Sequence, residues 1–269
     1  MNFWLLHAVG VVLVLWVLGN ICTTILQDYF IFRPRRLPQD YRYRFMGYFE
    51  EIWLQAKHGG RLNVLYFKRL SLEGSKGLVL YYHGNSGNLA RWGHLHQYFG
   101  EQGYDFLAYD YRGFGKSSGR RTEAMLFADA LQMYDYACTL CPPSRLVIIG
   151  RSMGSAFACR VAAQNPCRRL ILETPFYSMP KLFYTYYPFL PPVFLFKYRF
   201  TNCRHLKQAR MPVHIFQGTN DWVVPYKCAV QLKDCLKLHD EFITIPGGGH
   251  NNLQFYDVYN LKMRELLQT

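Results

Sequence analysis

The stretch Gly150-Arg151-Ser152-Met153-Gly154 constrains the fold of this chain more than any other. It follows the apolar run Arg145-Leu146-Val147-Ile148-Ile149, which suits a buried strand, and opens a helix-like stretch over residues 156–163. A Gly-x-Ser-x-Gly held between a strand and a helix makes a sharp turn with the serine at its apex, the nucleophile elbow. The turn strains the backbone of the central residue and leaves no room for side chains two positions to either side. Gly150 and Gly154 meet that need. A five-residue match arises by chance, and the strand before it and the helix after it give it weight.

At 269 residues the chain can bury one large core, as a single α/β domain does. Half its residues are hydrophobic and 17% are aromatic, which excludes a disordered chain. The formal charge of +13, from 31 basic and 18 acidic side chains, admits nucleic acid, an anionic membrane or an acidic substrate as partner. There is no Lys/Arg run, zinc-finger spacing or RNA-binding signature, so nucleic acid is not expected. An anionic lipid surface fits better, because of the N-terminus.

Residues 1–27 carry no charged side chain, and residues 3–26 are apolar apart from His7, Asn20, Thr23 and Thr24. As a helix this stretch is about 35 Å long, enough to cross a hydrocarbon core of about 30 Å. Trp4 at one end and Tyr29, Phe30 and Phe32 at the other read as interfacial anchors. A cleaved signal peptide would have a basic start, a shorter apolar run and an Ala-x-Ala-like site, and Asn20-Ile21-Cys22 is not a lipoprotein site. The reading is a transmembrane anchor at residues 1–28, a basic linker at 29–44 and a catalytic domain at 45–269. Arg33, Arg35, Arg36, Arg42 and Arg44 follow the span and no Lys or Arg precedes it, so the positive-inside rule puts the domain on the cytoplasmic side. The absence of an Asn-x-Ser/Thr acceptor and of a tight framework among the eight cysteines agrees with that side. Cys159, Cys228 and Cys235 read as small buried hydrophobes, and Cys138 and Cys141 as a helix-end coincidence rather than a zinc or redox pair.

Beyond the linker, β-like runs over residues 50–56 and 62–68 form a hairpin around His58-Gly59-Gly60. Further strands are expected at 78–82, 106–109, 145–149, 170–172, 213–216 and 242–245. Helices are expected at 90–102, 122–140, 156–163, 228–236 and 253–267. This alternation implies right-handed crossovers and a mostly parallel sheet covered on both faces.

A serine hydroxyl needs a base to take its proton, and the base needs an acid to orient it. Asp221 directly follows the strand ending at Phe216, and His250 directly follows the strand ending at Ile245. Serine, acid and histidine thus occur in order, each at the carboxyl end of a strand, and Ser152, Asp221 and His250 are read as a catalytic triad. Glu173, after the strand ending at Leu172, is the rival acid. An oxyanion hole requires preorganised N–H groups. The amide of Met153, after the nucleophile, and that of Asn85, in the Gly-containing loop His83-Gly84-Asn85-Ser86-Gly87-Asn88, are assigned to it, and the side chains of His83 and Asn88 to hydrogen bonding within that loop.

These motifs, together with Tyr109-Asp110-Tyr111-Arg112-Gly113-Phe114-Gly115-Lys116-Ser117 and Gly218-Thr219-Asn220-Asp221, resemble the α/β-hydrolase superfamily over about residues 45–269. Its membrane-anchored serine-hydrolase branch, which includes protein depalmitoylases and lysophospholipid lipases, is the nearest likeness. The depalmitoylases attach through a cluster of acylated cysteines, whereas only Cys22 lies near the span here. The resemblance implies the α/β-hydrolase fold and the triad and leaves the substrate open. It requires no cofactor and no metal, although His83, His94 and His96 offer imidazoles. Gly113-Phe114-Gly115-Lys116-Ser117 lacks the first glycine of a phosphate loop, where Asp110 stands, so ATP is rejected and Asp110 and Arg112 are read as braces.

Residues 174–212 exceed a plain crossover and are read as a short cap insertion. Eleven aromatic residues lie between Phe176 and Phe200, Phe194 among them, around Pro188, Pro191 and Pro192, with Lys181, Lys197 and Arg199 interspersed. An aromatic wall for an acyl chain, leaning on the bilayer, competes with ordinary packing of the cap. The function expected is a membrane-anchored serine hydrolase that cleaves an ester or thioester of a lipid-like acyl substrate through an acyl-enzyme. The rivals are a peptidase or aminoacyl hydrolase on the same fold and a non-catalytic membrane-tethered scaffold.

Overall fold

The computed structural model describes residues 3–69, 74–190 and 195–268. Eight strands build the main sheet: β1 (Phe49–Gln55), β2 (Arg61–Phe67), β3 (Gly77–Tyr82), β4 (Tyr104–Tyr109), β5 (Leu146–Arg151), β6 (Arg169–Glu173), β7 (Val213–Gly218) and β8 (Glu241–Ile245). Their order is β8-β7-β6-β5-β3-β4-β2-β1. β2 runs antiparallel to β1 and β4, and the other pairings are parallel. Successive side chains of β3 and β5 alternate between two cores, Leu78, Leu80, Leu146 and Ile148 on one face and Val79, Tyr81, Val147 and Ile149 on the other. Strands buried on both faces read as continuous apolar runs, as these do.

The helices are α1 (Phe3–Ile31), α2 (Leu89–Trp92), α3 (Leu95–Glu101), α4 (Glu123–Leu140), α5 (Gly154–Ala162), α6 (Met179–Tyr186), α7 (Asn202–Leu206), α8 (Tyr226–Ala229) and α9 (Asp257–Gln268). α4 and α5 contribute Leu126, Met133, Phe157 and Val161 to the first core, and α3 and α9 contribute Phe99, Tyr259 and Met263 to the second. Thr122 starts α4 by accepting from the Met125 N–H at 3.2 Å, one of the donors that a helix start leaves open. Three helices differ from expectation. Residues 90–102 divide at Gly93, where a Cβ would come within 2.5 Å of the Phe45 ring. Residues 228–236 hold the end of α8 and a 3₁₀ turn at Val230–Cys235, and a 3₁₀ turn at Leu253–Phe255 precedes α9.

The cysteines require a correction. Cys203 on α7 is bonded to Cys235 at the end of the 3₁₀ turn, 32 residues away, so one pair is a cross-link and Cys235 is not simply a small buried hydrophobe. Spacing could not show it, since the partners lie on different elements and approach only when the end of the cap segment packs against the chain beyond β7.

The apolar window His7–Ile31 of α1 has a mean hydropathy of 2.3 and is only 6% buried, long and apolar enough to cross a membrane. Three of its polar residues, Asn20, Gln27 and Asp28, bind the cap. The Asn20 carboxamide accepts from the Leu195 N–H at 2.7 Å and donates to the Trp16 carbonyl at 2.9 Å. Gln27 donates to the Leu195 carbonyl at 2.9 Å and accepts from the Lys197 N–H at 2.8 Å, while Asp28 accepts from the Tyr198 hydroxyl at 2.6 Å and pairs with Lys197. The segment after α1 lies along the domain. Arg33 N–H donates to the Asn85 carbonyl at 2.8 Å, Arg35 N–H to that of Gly87 at 3.2 Å, and Leu37 N–H to that of Gly115 at 2.9 Å. Arg33–Pro34 thereby pairs in parallel with Ser86–Gly87.

The expected cap holds α6 and α7, while Pro191, Pro192 and Phe194 lie outside the described residues. Its rings divide: Phe176, Tyr198 and Phe200 are core residues, whereas Tyr186, Tyr187 and Phe189 are exposed.

Asp110 and Arg112 brace the loops beneath the sheet's carboxyl edge. Asp110 accepts from the Leu89 N–H at 3.1 Å, and Lys116 from the same loop donates to the Tyr41 carbonyl at 2.8 Å. The Arg112 guanidinium is fully buried, binds both Asp129 oxygens at 2.6 and 2.8 Å, and donates to the Gly59 carbonyl at 2.6 Å. Removing one member of a buried pair strands the other charge, at a cost of about 3–5 kcal/mol. Arg112→Met is therefore expected to lower unfolding stability by about 3 kcal/mol or more in a denaturant titration, and a loss below about 1 kcal/mol would contradict this bracing role.

Candidate active site

Four loops meet at the carboxyl edge of the sheet, and the strands that end there carry the candidate residues. Ser152, directly after β5, has φ 50, the strained left-handed backbone of an elbow. The glycines around it are required sterically. A Cβ on Gly154 would lie 1.9 Å from the Tyr82 carbonyl oxygen, and one on Gly150 would lie 2.5 Å from Cβ of Ala158. Gly154 thus lets the start of α5 press against the loop after β3. The Ser152 N–H is held by the Glu173 carbonyl at 2.8 Å, and its own carbonyl accepts from the Ser155 hydroxyl at 2.6 Å, which in turn accepts from Asn202 at 2.8 Å.

Asp221 and His250 arrive on the turns after β7 and β8. His250 Nε2 lies 3.0 Å from Ser152 Oγ, and His250 Nδ1 lies 2.8 Å from Asp221 Oδ2. Placing the Nδ1 proton toward the carboxylate leaves Nε2 free to accept from the serine. Asp221 is buried and fully engaged: Oδ1 accepts from the Val223 and Val224 N–H groups at 2.8 and 2.7 Å, and Oδ2 accepts also from Gln217 at 3.1 Å. Thr219 ties the histidine turn to its neighbour by accepting from the Gly247 N–H at 2.8 Å, and within the turn Asn252 accepts from the Gly249 N–H at 2.7 Å.

The rival acid is occupied elsewhere. Glu173 is buried, accepts from the hydroxyls of Tyr81 (3.2 Å) and Tyr259, and faces Arg151 at 3.6 Å. Burial and this carboxylate push the Tyr81 and Tyr259 hydroxyls well above the usual tyrosine range. Both stay protonated donors.

The backbone N–H groups of Met153, at the start of α5, and of Asn85 have no hydrogen-bond partner among the described residues. Asn85 is otherwise tied to the segment after α1: its side chain donates to the Ile31 carbonyl at 3.0 Å and its carbonyl accepts from Arg33. His83 is buried, stacks on Trp92, and has Nδ1 2.7 Å from the Gly84 carbonyl and Nε2 3.4 Å from Asp110. Asn88 caps α2 by accepting from the Ala90 N–H at 3.0 Å. His96 has its ring nitrogens against the carbonyls of Gly93 and Met46, and among the described residues no group of three or more His, Cys, Asp or Glu side chains could hold a metal.

A cleft of about 410 Å³ opens beside the histidine, lined by Asn220, Trp222, Val223, Gly247, Gly249, His250, Asn251 and Asn252. From the cap, the Tyr186 hydroxyl reaches its rim and donates to the carbonyls of Trp222 and Val223. Sequence reasoning missed Gln217, Ser155, Asn202 and Arg151. Gln217 could have been suspected from its place at the end of β7, four residues before Asp221; the others act through contacts that no local pattern announces.

A family model described as serine aminopeptidase, S33, matches residues 73–202, a span that includes Ser152 and ends before Asp221. An uncharacterised protein of Mycobacterium tuberculosis (strain H37Rv) is 29% identical over 209 residues, covering 77% of this chain and 74% of its own length. The lysophosphatidylserine lipase ABHD12 of Danio rerio is 30% identical over 186 residues; the match covers 61% of this chain and only 48% of that lipase. Among solved structures, the Pyrococcus furiosus esterase Pf2001 aligns with a TM-score of 0.67 at 16% identity over 88% of this chain and 97% of its own. Acetyl xylan esterase 1 from Thermoanaerobacterium aligns with a TM-score of 0.66 at 19% identity over 85% of each chain. At such identities the structural likeness speaks for the fold, and this chain has the α/β-hydrolase fold.

Proposed function

We propose that this chain is a membrane-anchored serine hydrolase that cleaves carboxylic esters or thioesters of lipid-like acyl substrates through an acyl-enzyme on Ser152. The observation that carries the reading is the unbroken relay from Asp221 through His250 to Ser152, with gaps of 2.8 and 3.0 Å. His250 takes the serine proton as Oγ attacks the acyl carbon, and Asp221 holds the imidazole and steadies its positive charge. The amides of Asn85 and Met153 receive the oxyanion; one such donor is worth about 3 kcal/mol. His250 then returns the proton to the departing alcohol or thiol, and a water repeats the cycle to release the acid. We assign the leaving group to the cleft beside Trp222, because the histidine that protonates it forms part of that wall.

Lipid-like substrates are favoured by the placement of the site. The apolar α1 ends at Ile31, whose carbonyl bonds the Asn85 side chain, and the cap it binds carries the exposed rings of Tyr187 and Phe189. A bilayer holding α1 would bring its surface to the cap, and acyl chains with it. The name of the ABHD12 relative, a lysophosphatidylserine lipase, is in keeping with this substrate class. An aminopeptidase would need a free carboxylate for the substrate's amino terminus. The two carboxylates described near Ser152, Asp221 and Glu173, are both engaged by protein groups.

Two features bear on the side of the membrane and they point in opposite directions. Arg33, Arg35 and Arg36 follow α1 and favour the cytoplasmic side, whereas the Cys203–Cys235 bond suits an oxidising compartment. Flanking charge acts during insertion, before the domain folds, so we retain the cytoplasmic placement.

Purified full-length protein in detergent should hydrolyse p-nitrophenyl esters with kcat/KM rising from acetyl toward longer chains, and Ser152→Ala should lose about 10³-fold or more. A preference for acetyl would overturn the lipid-like assignment, and activity surviving in Ser152→Ala would overturn the mechanism. For the orientation, an epitope tag at the C-terminus is probed with antibody in intact cells and after the plasma membrane alone is opened. On the cytoplasmic side the tag should be reached once that membrane is opened; a tag reached in intact cells, or only after all membranes are dissolved, would place the domain on the other side.

A further inference from the structure

Arg151, the last residue of β5, stands next to the nucleophile, yet its guanidinium serves the histidine. Nη2 donates to the His250 carbonyl at 2.9 Å and lies 3.4 Å from the Asn251 side-chain oxygen. Nη1 lies 3.6 Å from Glu173, the plane rests over the Trp92 ring at 5.6 Å, and the side chain is only 11% exposed. Glu173 is fixed in turn by the hydroxyls of Tyr81 on β3 and Tyr259 on α9. The same residue's main-chain carbonyl holds the Ser152 N–H at 2.8 Å.

We propose that Arg151 is a positioning residue that clamps the His250 turn to the strand carrying the nucleophile, in the serine-hydrolase reading given above. The turn follows β8 at the edge of the sheet, whereas Ser152 follows β5 near its centre, with β6 and β7 between them. The separation of Nε2 from Oγ therefore depends on how far the turn can drift from β5. Arginine suits the task because its rigid fork serves a carbonyl and a carboxylate together. Glu173 offsets the guanidinium charge, so the clamp does not oppose the positive charge that forms on the imidazole during turnover. Arg151 need not touch substrate, so its loss acts on kcat and spares KM.

The experiment compares full-length wild type, Arg151→Met, Arg151→Lys, Glu173→Gln and Ser152→Ala in detergent, with p-nitrophenyl ester kinetics normalised to folded protein from the monodisperse fraction. A misplacement of about 1 Å in a catalytic group costs about 10²-fold, so Arg151→Met should lose about that much kcat with KM within about twofold of wild type. Arg151→Lys, which keeps one donor for the His250 carbonyl, should recover most of the loss. If Arg151→Met does not fold, Glu173→Gln carries the test: freeing the guanidinium from its anchor should lower kcat about tenfold at unchanged KM. Wild-type kcat per folded molecule in Arg151→Met, or in Glu173→Gln when Met fails to fold, overturns the clamp, whatever either does to thermal stability. Equal losses in the Met and Lys variants overturn it too. Retained turnover in Ser152→Ala would instead overturn the serine-hydrolase reading.

Discussion

A backbone forced to φ 50 at Ser152 is tolerable only because its surroundings are filled from every side. The Glu173 carbonyl holds its N–H, Ser155, itself bonded by Asn202, holds its carbonyl, and Gly154 allows the Tyr82 carbonyl to sit where any Cβ would collide. The rest of the site is arranged around that turn. α5 starts there, and the Met153 amide beside the serine is without a hydrogen-bond partner among the described residues, while β6 supplies both the peptide that holds the turn and the carboxylate that anchors Arg151. The histidine meets the serine because three separate strands end at one edge. Loops after parallel strands are where such a sheet gathers chemistry.

The apolar helix α1 is built into the same framework. A helix joined by a loose linker would leave the domain free to face any direction. Here the polar side chains of Asn20, Gln27 and Asp28 bind the chain at residues 195–198 of the cap, and the next residues bind Asn85, Gly87 and Gly115. One continuous segment therefore touches the cap and the loop that carries the Asn85 amide. The apolar helix and the loop of the candidate site share this one segment's hydrogen bonds, which ties the orientation of the domain to the axis of α1.

Much of this was legible in the sequence, for identifiable reasons. Ser152, Asp221 and His250 each follow an apolar run at a turn, and strand alternation placed those runs in one parallel sheet. Glu173 satisfied the same local criteria as Asp221, and tertiary contacts distinguish the two: His250 meets Asp221, whereas tyrosines and Arg151 surround Glu173. What stayed hidden depends on tertiary contact. Arg151 reaches a carbonyl 99 residues away, and Cys203 joins a sulfur 32 residues away. The basic segment after α1 reads as a linker because it has no periodicity, but its backbone hydrogen bonds need none. The helix expected over residues 90–102 divides at Gly93, where Phe45, from a distant part of the chain, packs so closely that a side chain would not fit. The aromatic cap divided between core and surface for the same reason: composition counts rings and is silent on which of them the sheet will cover.

The central claim is that Ser152 forms a covalent bond to the acyl group during turnover. Rapid acid quenching during the first turnovers of a p-nitrophenyl ester, followed by peptide mass mapping, tests it directly. The account predicts a peptide heavier by one acyl group, with the modification on Ser152 and its accumulation matching an initial burst of p-nitrophenol. Turnover with no acylated peptide, or with the acyl group fixed on another residue, would contradict it.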